Sequence, residues 1–166
     1  FNRITVDSDT STSDTVLLFA TGEQIDDDLN DRNDARLPAF QAALDSVCLD
    51  LAQQIVRDGE GATKFVEVTV TGAANDDAAT VIAKAIGDSP LVKTALAAED
   101  ANWGRIVMAV GKAGQAAERD KLAIWIGPEQ VSAAGMVLDS YSEDRATVHL
   151  KGDDVVVKVD VGVGDG

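Results

Sequence analysis

Residues 37–72 read LPAFQAALDSVCLDLAQQIVRDGEGATKFVEVTVTG, and this stretch decides the fold. Up to about Arg57, apolar residues recur every three or four positions, so they lie along one stripe of a helix. Gly59 and Gly61 end that helix, and residues 65–71 then alternate as a half-buried strand does. The stretch therefore predicts a long helix that packs one face on a sheet, followed by a strand. The predicted stripe consists of Leu37, Phe40, Leu44, Val47, Cys48, Leu51, Ile55 and Val56.

Two strands and two polar loops are predicted before this helix. Residues 3–6 (RITV) are β-branched and alternate, and residues 16–20 (VLLFA) form a continuous apolar run typical of a strand buried on both faces. Residues 7–15 (DSDTSTSDT) carry a side-chain oxygen at every position, which predicts a turn. Residues 23–34 are strongly acidic and predict an exposed loop that ends in Asp34 as the helix cap.

Helices and strands alternate along the rest of the chain. Apolar periodicity predicts helices over residues 76–86, 102–110 and 142–150. β-Branched runs predict strands over residues 122–127 and 154–162. This interleaving favours an α/β or α+β fold with helices layered on a sheet. Both chain ends lie beside predicted strands, so the chain is predicted to be a piece of a larger protein.

The composition is that of a folded, acidic protein. Hydrophobic residues make up 45% and charged residues 26%, and 29 acidic against 14 basic residues give a net charge of -15. The electrostatic field of this negative charge repels phosphate backbones and anionic lipid, so nucleic acid and membranes are not expected as partners. A single cysteine, Cys48, excludes an internal disulfide framework, and a single histidine leaves no set of ligands from which we would expect a metal site. No apolar run approaches the ~20 residues of a membrane span, and we expect a soluble, intracellular protein.

Glu60 is the candidate site residue that the sequence pattern singles out. It lies between two glycines where the helix meets the strand, and small neighbours allow a ligand or other backbone to approach its carboxylate closely. A cationic ammonium group would be its natural partner. The alternative is an ordinary surface glutamate in a turn.

The other polar motifs give weaker signals. Residues 7–15 place oxygen ligands at alternate positions as a calcium loop does, but they lack the glycine and glutamate that such a loop needs at its sixth and twelfth positions. The segment is therefore interpreted as an Asx or Ser/Thr turn, or else as the polar wall of a site. His149 is interpreted as an ordinary surface or packing histidine. Trp103 and Trp125 are predicted to anchor the core.

Four segments, which cover nearly the whole chain, carry a family resemblance. They read FNRITVDSDTSTSDTVLLFATG (1–22), RDGEGATKFVEVTVTGA (57–73), SPLVKTALAAEDANWGRIVMAVGKAG (89–114) and VVVKVDVGVG (155–164). In this order they resemble the β chain of the bifunctional ornithine acetyltransferase / glutamate N-acetyltransferase family of arginine biosynthesis. The runs DSDTSTSDT and NWGRI are the most distinctive. Ser13 and Ala98 depart from the residues expected in the family, and residues 128–145 match no part of its pattern that we can anchor.

The resemblance implies an enzyme that shares its site among several segments. Proteins of this family are made as one precursor that cleaves itself before a threonine, and that threonine moves acetyl from N-acetylornithine to glutamate. The threonine would precede this chain, so no catalytic residue is expected within it. The resemblance implies that Glu60 contacts the amino-acid substrate. It also implies an α chain and further β-chain segments as partners, a heterotetramer of two αβ units, a cytoplasmic location and no cofactor.

The resemblance also implies an architecture. The chain would be part of the layered α/β/β/α fold of self-cleaving proteins with a threonine nucleophile, followed by a mixed C-terminal α/β lobe. Residues 1–62 would belong to the α/β core shared with the other segments, and residues 63–166 would form the lobe. Two other functions stay open, namely a self-cleaving aminopeptidase or amidase of related fold, and a non-catalytic acidic interaction domain.

Overall fold

The structure is a computed structural model that describes residues 1–10, 13–23 and 31–166. The predicted acidic loop lies largely outside these described residues, as do two positions of the DSDTSTSDT segment. The helices of the described part are α1 (Leu37–Arg57), α2 (Asp76–Gly87), α3 (Pro90–Ala97), α4 (Trp103–Lys112) and α5 (Glu143–Leu150), and its strands are β1 (Phe65–Thr71), β2 (Ala123–Ile126), β3 (Glu129–Ala133), β4 (Met136–Val137) and β5 (Asp154–Asp160).

The strands form one mixed sheet in the order β1-β5-β2-β3-β4. β1 and β5 are parallel, with Val68 beside Val157, and β2 runs antiparallel to β5, with Ile126 beside Val157. β3 and β4 continue the sheet as antiparallel strands. The mixed sheet with interleaved helices confirms the α/β fold class. No helix within the described residues is long and apolar enough to cross a membrane.

The core lies between one face of this sheet and the helices. Alternate residues of β5 are fully buried, as the pleat of a strand with one covered face requires. α2 contacts β1 and α4, and α5 contacts β2. Trp103 packs at the edge of this core, as predicted. The most deeply buried aliphatic side chains are those of Ile82, Ile86, Ile124, Ile126, Val131, Leu150, Val155, Val157, Val159 and Val161.

Trp125 lies on the other face of the sheet, so its prediction as a core anchor is wrong. It is half-buried, and the Nζ atom of Lys158 lies 5.2 Å from the centroid of its ring. Trp125 and Lys158 are directly paired between β2 and β5. The pleat places Trp125 opposite its neighbours Ile124 and Ile126, which occupy the covered face. The run AIWI is therefore alternating, although all four of its side chains are apolar.

The two predicted N-terminal strands are not formed. Residues 3–6 and 16–20 pair with no strand of the described chain, and the side chains of Val16, Leu17, Leu18 and Phe19 are 60–82% exposed. A strand buried on both faces needs neighbours for its N–H and C=O groups and an apolar layer on each side. Among the described residues these segments find neither.

Helix α1 has the predicted bounds but not the predicted packing. Of its residues only Ala52 is buried, whereas Phe40, Val47 and Leu51 are 46–57% exposed. The apolar stripe exists, but four of its eight residues are exposed, and Val56 at its end lines a cavity together with two valines of β1. Stripe periodicity indicates which face of a helix is apolar, and it contains no information about what lies against that face.

Asp34 is not the cap of α1. Arg36 occupies the N-cap position, and Asp34 instead accepts the Arg36 backbone N–H at 2.9 Å and pairs with its guanidinium at 2.7 Å. These bonds to Arg36 lower the pKa of Asp34 to about 2. Asp34 therefore forms a local turn with Arg36 immediately before α1 begins.

Three elements were not predicted, although short sequence signals mark them. Ser89 caps α3 and Pro90 is its first residue, which is a common helix start. β2 and β3 are joined by Gly127-Pro128 with Gly127 at φ 57°, and β3 and β4 by Ala134-Gly135 with both φ values positive. Two-residue loops of these kinds match the twist of antiparallel strands.

Candidate functional site

The candidate site is the Gly59–Ala62 turn between α1 and β1. The Gly59 carbonyl accepts a hydrogen bond from the Ala62 N–H at 2.9 Å, and Gly61 at the third position has φ 72°. This is the pattern of a type II turn, whose third position favours glycine. Glu60 occupies the second position and is exposed. The sequence thus placed Glu60 correctly at a glycine-bounded helix-to-strand junction.

Cations hold both ends of this turn to one distant segment. On the α1 side, the Arg57 guanidinium pairs with Asp154 at 2.7 Å and lies 4.0 Å from the centroid of the Phe65 ring. On the β1 side, the Lys64 Nζ atom donates to the Leu150 carbonyl at 2.7 Å and to the Gly152 carbonyl at 3.2 Å. All three acceptors belong to residues 150–154, which join α5 to β5.

The N-terminal segment crosses the turn on the other side. A methyl group added at Gly59 would lie 3.0 Å from Cγ1 of Val6, so glycine permits this close approach. The Thr5 hydroxyl donates to the carboxylate of Asp88, and the Lys93 Nζ atom donates to the Val6 carbonyl at 2.6 Å. The closest approach at Gly59 is thus made by the Val6 side chain, and not by the other backbone or the ligand that the sequence predicts beside Glu60.

A cavity of about 310 Å³ opens beneath the turn. Glu60, Lys64 and Lys93 contribute to its lining, and both ammonium groups are already hydrogen-bonded to backbone carbonyls. The Glu60 carboxylate makes no hydrogen bond or ion pair with any residue that the structure describes. It is thus the uncommitted charge at this cavity. The apolar lining comes mainly from Val66, Val68, Ile86, Val92, Leu96 and Val157.

The described residues of the other predicted polar motifs make local contacts and do not line the cavity at Glu60. Asp7 accepts the Asp9 backbone N–H at 2.8 Å, which confirms an Asx turn there. The His149 Nε2 atom accepts the Val156 N–H at 2.8 Å, and the imidazole packs against Gly127. His149 is therefore a packing histidine, as predicted. Among the described residues no three His, Cys, Asp or Glu side chains are grouped as a metal ion would need.

A second charged cluster lies in residues 128–145, the segment that matches no part of the family pattern. Glu129 accepts two hydrogen bonds from the Arg145 guanidinium, at 2.7 and 2.8 Å, and one from the Ser142 N–H at 2.9 Å. These bonds, with that from Arg145 the strongest, hold the pKa of Glu129 below its ordinary value. The Arg145 guanidinium also donates to the Ser140 carbonyl at 2.7 Å. This cluster ties the β2–β3 hairpin to α5 and takes no part in the Glu60 turn.

Sequence reasoning identified Glu60 but missed Arg57 and Lys64 as its supports. Glycine spacing marks the turn locally, whereas the carbonyl that Lys64 binds lies 86 residues further along the chain. A residue of any type can supply a main-chain carbonyl, so no sequence pattern marks these acceptors. The only local signal for these supports is that a basic residue stands at each end of the turn.

Comparisons with known proteins agree with this structure. The chain is 58% identical over 169 residues to the "Arginine biosynthesis bifunctional protein ArgJ" of Rhizobium meliloti and 57% identical over 166 residues to that of Zymomonas mobilis. Each match covers 100% of this chain and 41% of the relative, so the chain spans about two fifths of their length.

A solved structure gives the same result at the level of fold. The crystal structure of the "Arginine biosynthesis bifunctional protein argJ" from Bacillus halodurans superposes with a TM-score of 0.94 at 45% identity, and the match covers 100% of this chain and 78% of that one. The family model described as "ArgJ family" matches residues 1–166. With sequence, fold and family model in agreement over its whole length, the chain belongs to the ArgJ family.

Proposed function

We propose that this chain is a portion of the β chain of a glutamate N-acetyltransferase of arginine biosynthesis. The enzyme moves acetyl from N-acetylornithine to glutamate through an acyl-threonine intermediate, and the threonine nucleophile lies outside this chain. Membership of the ArgJ family supports this, as do the relatives' names, which place them in arginine biosynthesis. The chain also covers 78% of the solved relative but only 41% of the curated ones, which agrees with a precursor divided into shorter chains.

In the proposed reaction the threonine hydroxyl attacks the acetyl carbonyl carbon of N-acetylornithine. The C–N bond breaks, ornithine leaves with a proton on its amine, and the acetyl group stays on the threonine oxygen. The neutral α-amine of glutamate then attacks the ester carbonyl carbon, the C–O bond to threonine breaks, a proton from the amine returns to the threonine oxygen, and N-acetylglutamate leaves. The scheme balances without a cofactor. The chain described here supplies binding groups rather than reacting ones.

Glu60 is proposed as the contact to the acetyl donor. The observation that carries this role is an exposed carboxylate, uncommitted among the described residues, on a turn held at both ends. The acetyl donor has an acylated α-amine but keeps a side-chain ammonium group, which is the complement of such a carboxylate. Glutamate, in contrast, must lose its amine proton before it reacts. Glu60 therefore favours the donor.

The proposed assembly contains the α chain and the remaining β-chain segments of the same precursor, in two αβ units and in the cytoplasm. The exposed apolar stripe of α1 and the exposed run of residues 16–19 support further polypeptide on this side of the molecule. Large exposed apolar patches on a folded domain mark interaction surfaces. No nucleic acid or membrane is part of the proposal.

The activity is tested with the complete enzyme, N-acetylornithine and glutamate. We expect equal amounts of N-acetylglutamate and ornithine. Free acetate without acetylglutamate would instead indicate the amidase or aminopeptidase alternative. Residues 1–166 alone should give no product, and turnover by this piece would contradict a nucleophile located elsewhere.

The role of Glu60 is tested by Glu60→Ala and Glu60→Gln in the complete enzyme. Loss of one charged contact should raise KM for N-acetylornithine about tenfold and leave kcat nearly unchanged. Glu67→Ala is the matched control, because Glu67 is also exposed and lies on the strand that follows the turn. Equal KM values for Glu60→Ala and Glu67→Ala would remove Glu60 from the site.

A further inference from the structure

The Glu60 turn is flexible by composition and must be held from outside. Two of its four residues are glycines, and Gly61 has no atom within 4 Å of an added Cβ, so neither steric contact nor side-chain packing restricts it there. The Gly59 to Ala62 hydrogen bond closes the turn but does not fix its orientation relative to the sheet. The supports at its two ends must do that.

Of the two supports, Lys64 is the stronger. It is half-buried, and its acceptors are main-chain carbonyls at the C-terminal end of α5, where helix carbonyls lack partners and the helix dipole favours a cation. The Arg57 to Asp154 pair joins two side chains that are 48% and 66% exposed, and such pairs contribute little. Main-chain acceptors cannot rotate away as a carboxylate side chain can.

We infer that Lys64 is a positioning residue for the acetyl donor, because its hydrogen bonds to the end of α5 fix the orientation of the Glu60 turn. This inference rests on the proposed role of Glu60. Loss of the Lys64 ammonium group leaves β1 in place, because the Phe65 N–H still bonds the Asp153 carbonyl at 2.7 Å and β1 still pairs with β5. The effect is therefore confined to residues 59–64. Glu60 then occupies many orientations, and the donor must select the productive one on binding.

The test uses Lys64→Met in the complete enzyme. We expect KM for N-acetylornithine to rise about threefold to tenfold with kcat within about twofold of wild type, because the nucleophile lies elsewhere. The rise cannot exceed that of Glu60→Ala, through which Lys64 acts. Lys64→Arg should restore most of the affinity, since arginine can also donate to both carbonyls. Should Lys64→Met not fold, Lys64→Gln keeps one donor and should give an intermediate KM.

The decisive measurement is a double-mutant cycle. In a Glu60→Ala background Lys64→Met should change KM by less than about twofold, because the group that it positions is gone. Arg105→Met is the matched control, since Arg105 also donates to a backbone carbonyl, that of Leu91 at 2.8 Å, away from the turn. That control should leave KM unchanged in both backgrounds.

Three outcomes would overturn the inference. Additive losses in the cycle would mean that Lys64 acts independently of Glu60. A fall in kcat like that of a general folding defect, or an unchanged KM while Glu60→Ala raises it, would exclude positioning. If Glu60→Ala itself leaves KM unchanged, the proposed function of Glu60 fails first, and the two failures are therefore distinguishable.

Discussion

The sheet lobe and helix α1 carry similar sequence patterns but have opposite surroundings. In β5 the apolar positions Val155, Val157 and Val159 are fully buried, whereas in α1 the apolar positions Phe40 and Val47 are more than half exposed. Both elements have the periodicity of one covered face. The difference lies in the partner, because β5 has a strand on each side within the sheet, whereas half of the α1 stripe stays exposed among the described residues.

This contrast indicates where the stability of the chain resides. Residues 63–166 contain the five strands and nearly all of the buried side chains that the structure describes. At the C-terminal end of α1, Val56 lines a cavity together with Val66 and Val68 of β1. The contrast supports a boundary near residue 62, which stays a prediction. Experiments that compare matched substitutions in the two regions will sharpen it.

The largest expected effect is that of Ile82→Ala in α2. Ile82 of α2 is fully buried in the hydrophobic core, so truncation leaves a cavity and should lower the free energy of unfolding by about 3–4 kcal/mol. Leu51→Ala in α1 removes a side chain that is 46% exposed, and in residues 1–166 it should cost less than about 1 kcal/mol. Urea unfolding of both variants measures the difference.

The same pair also tests the comparison in the complete enzyme. If further polypeptide covers α1 there, the cost of Leu51→Ala should rise to about 2 kcal/mol or more, while that of Ile82→Ala stays the same. Equal costs for Leu51→Ala in the piece and in the complete enzyme would show that the stripe is a solvent-exposed surface in both.

A smaller effect is expected from alanine at two glycines with positive φ. Gly127 has φ 57°, and an added Cβ would overlap the His149 ring, whereas Gly61 has φ 72° and open space around it. Gly127→Ala should therefore cost about 2–3 kcal/mol and Gly61→Ala about 1 kcal/mol, the latter from backbone strain alone. Thermal unfolding of both variants gives the measurement. A Gly61→Ala variant as unstable as Gly127→Ala would mean that the turn is packed against something.

Local sequence signals were sufficient for the bounds of elements that have a clear hydrophobic period. The helical period of residues 37–57 and the alternation of residues 65–71 gave correct bounds, because both patterns depend only on neighbouring residues. The prediction of a strand over residues 16–20 was wrong, because an apolar run does not show which other element would cover it. Helix α3 was missed because an eight-residue segment with few polar positions shows no clear stripe.

The candidate site likewise contains one feature that the sequence predicts and others that it does not. Glycine spacing predicted the Glu60 turn, since turn geometry is a local property. The contacts of Lys64 and Arg57 were not predictable, because they depend on the return of the chain at residues 150–154 beside β1. That return is a consequence of parallel β1 and β5 pairing, which no short pattern encodes. Sequence can therefore nominate a site residue, while the residues that position it emerge only from topology.

The smallest expected effect concerns acid stability and again compares the two regions. Arg145 lowers the pKa of Glu129 in the lobe, and Arg36 lowers the pKa of Asp34 before α1. A carboxyl group whose pKa is lower in the folded state stabilises the fold above its unfolded pKa, and this contribution is lost as pH falls through the folded pKa. The separation along the chain distinguishes the pairs, because Asp34 and Arg36 are two residues apart and Glu129 and Arg145 are sixteen apart.

A pair two residues apart can persist in the unfolded chain, so its pKa changes less on unfolding than that of a pair brought together by the fold. We therefore expect Glu129→Gln to flatten the dependence of the unfolding midpoint on pH between about pH 5 and about pH 3, and Asp34→Asn to leave it nearly unchanged. Urea midpoints across this range provide the measurement. A steeper acid dependence in the Glu129→Gln variant, or an equal flattening by Asp34→Asn, would contradict the view that long-range contacts are concentrated in the lobe.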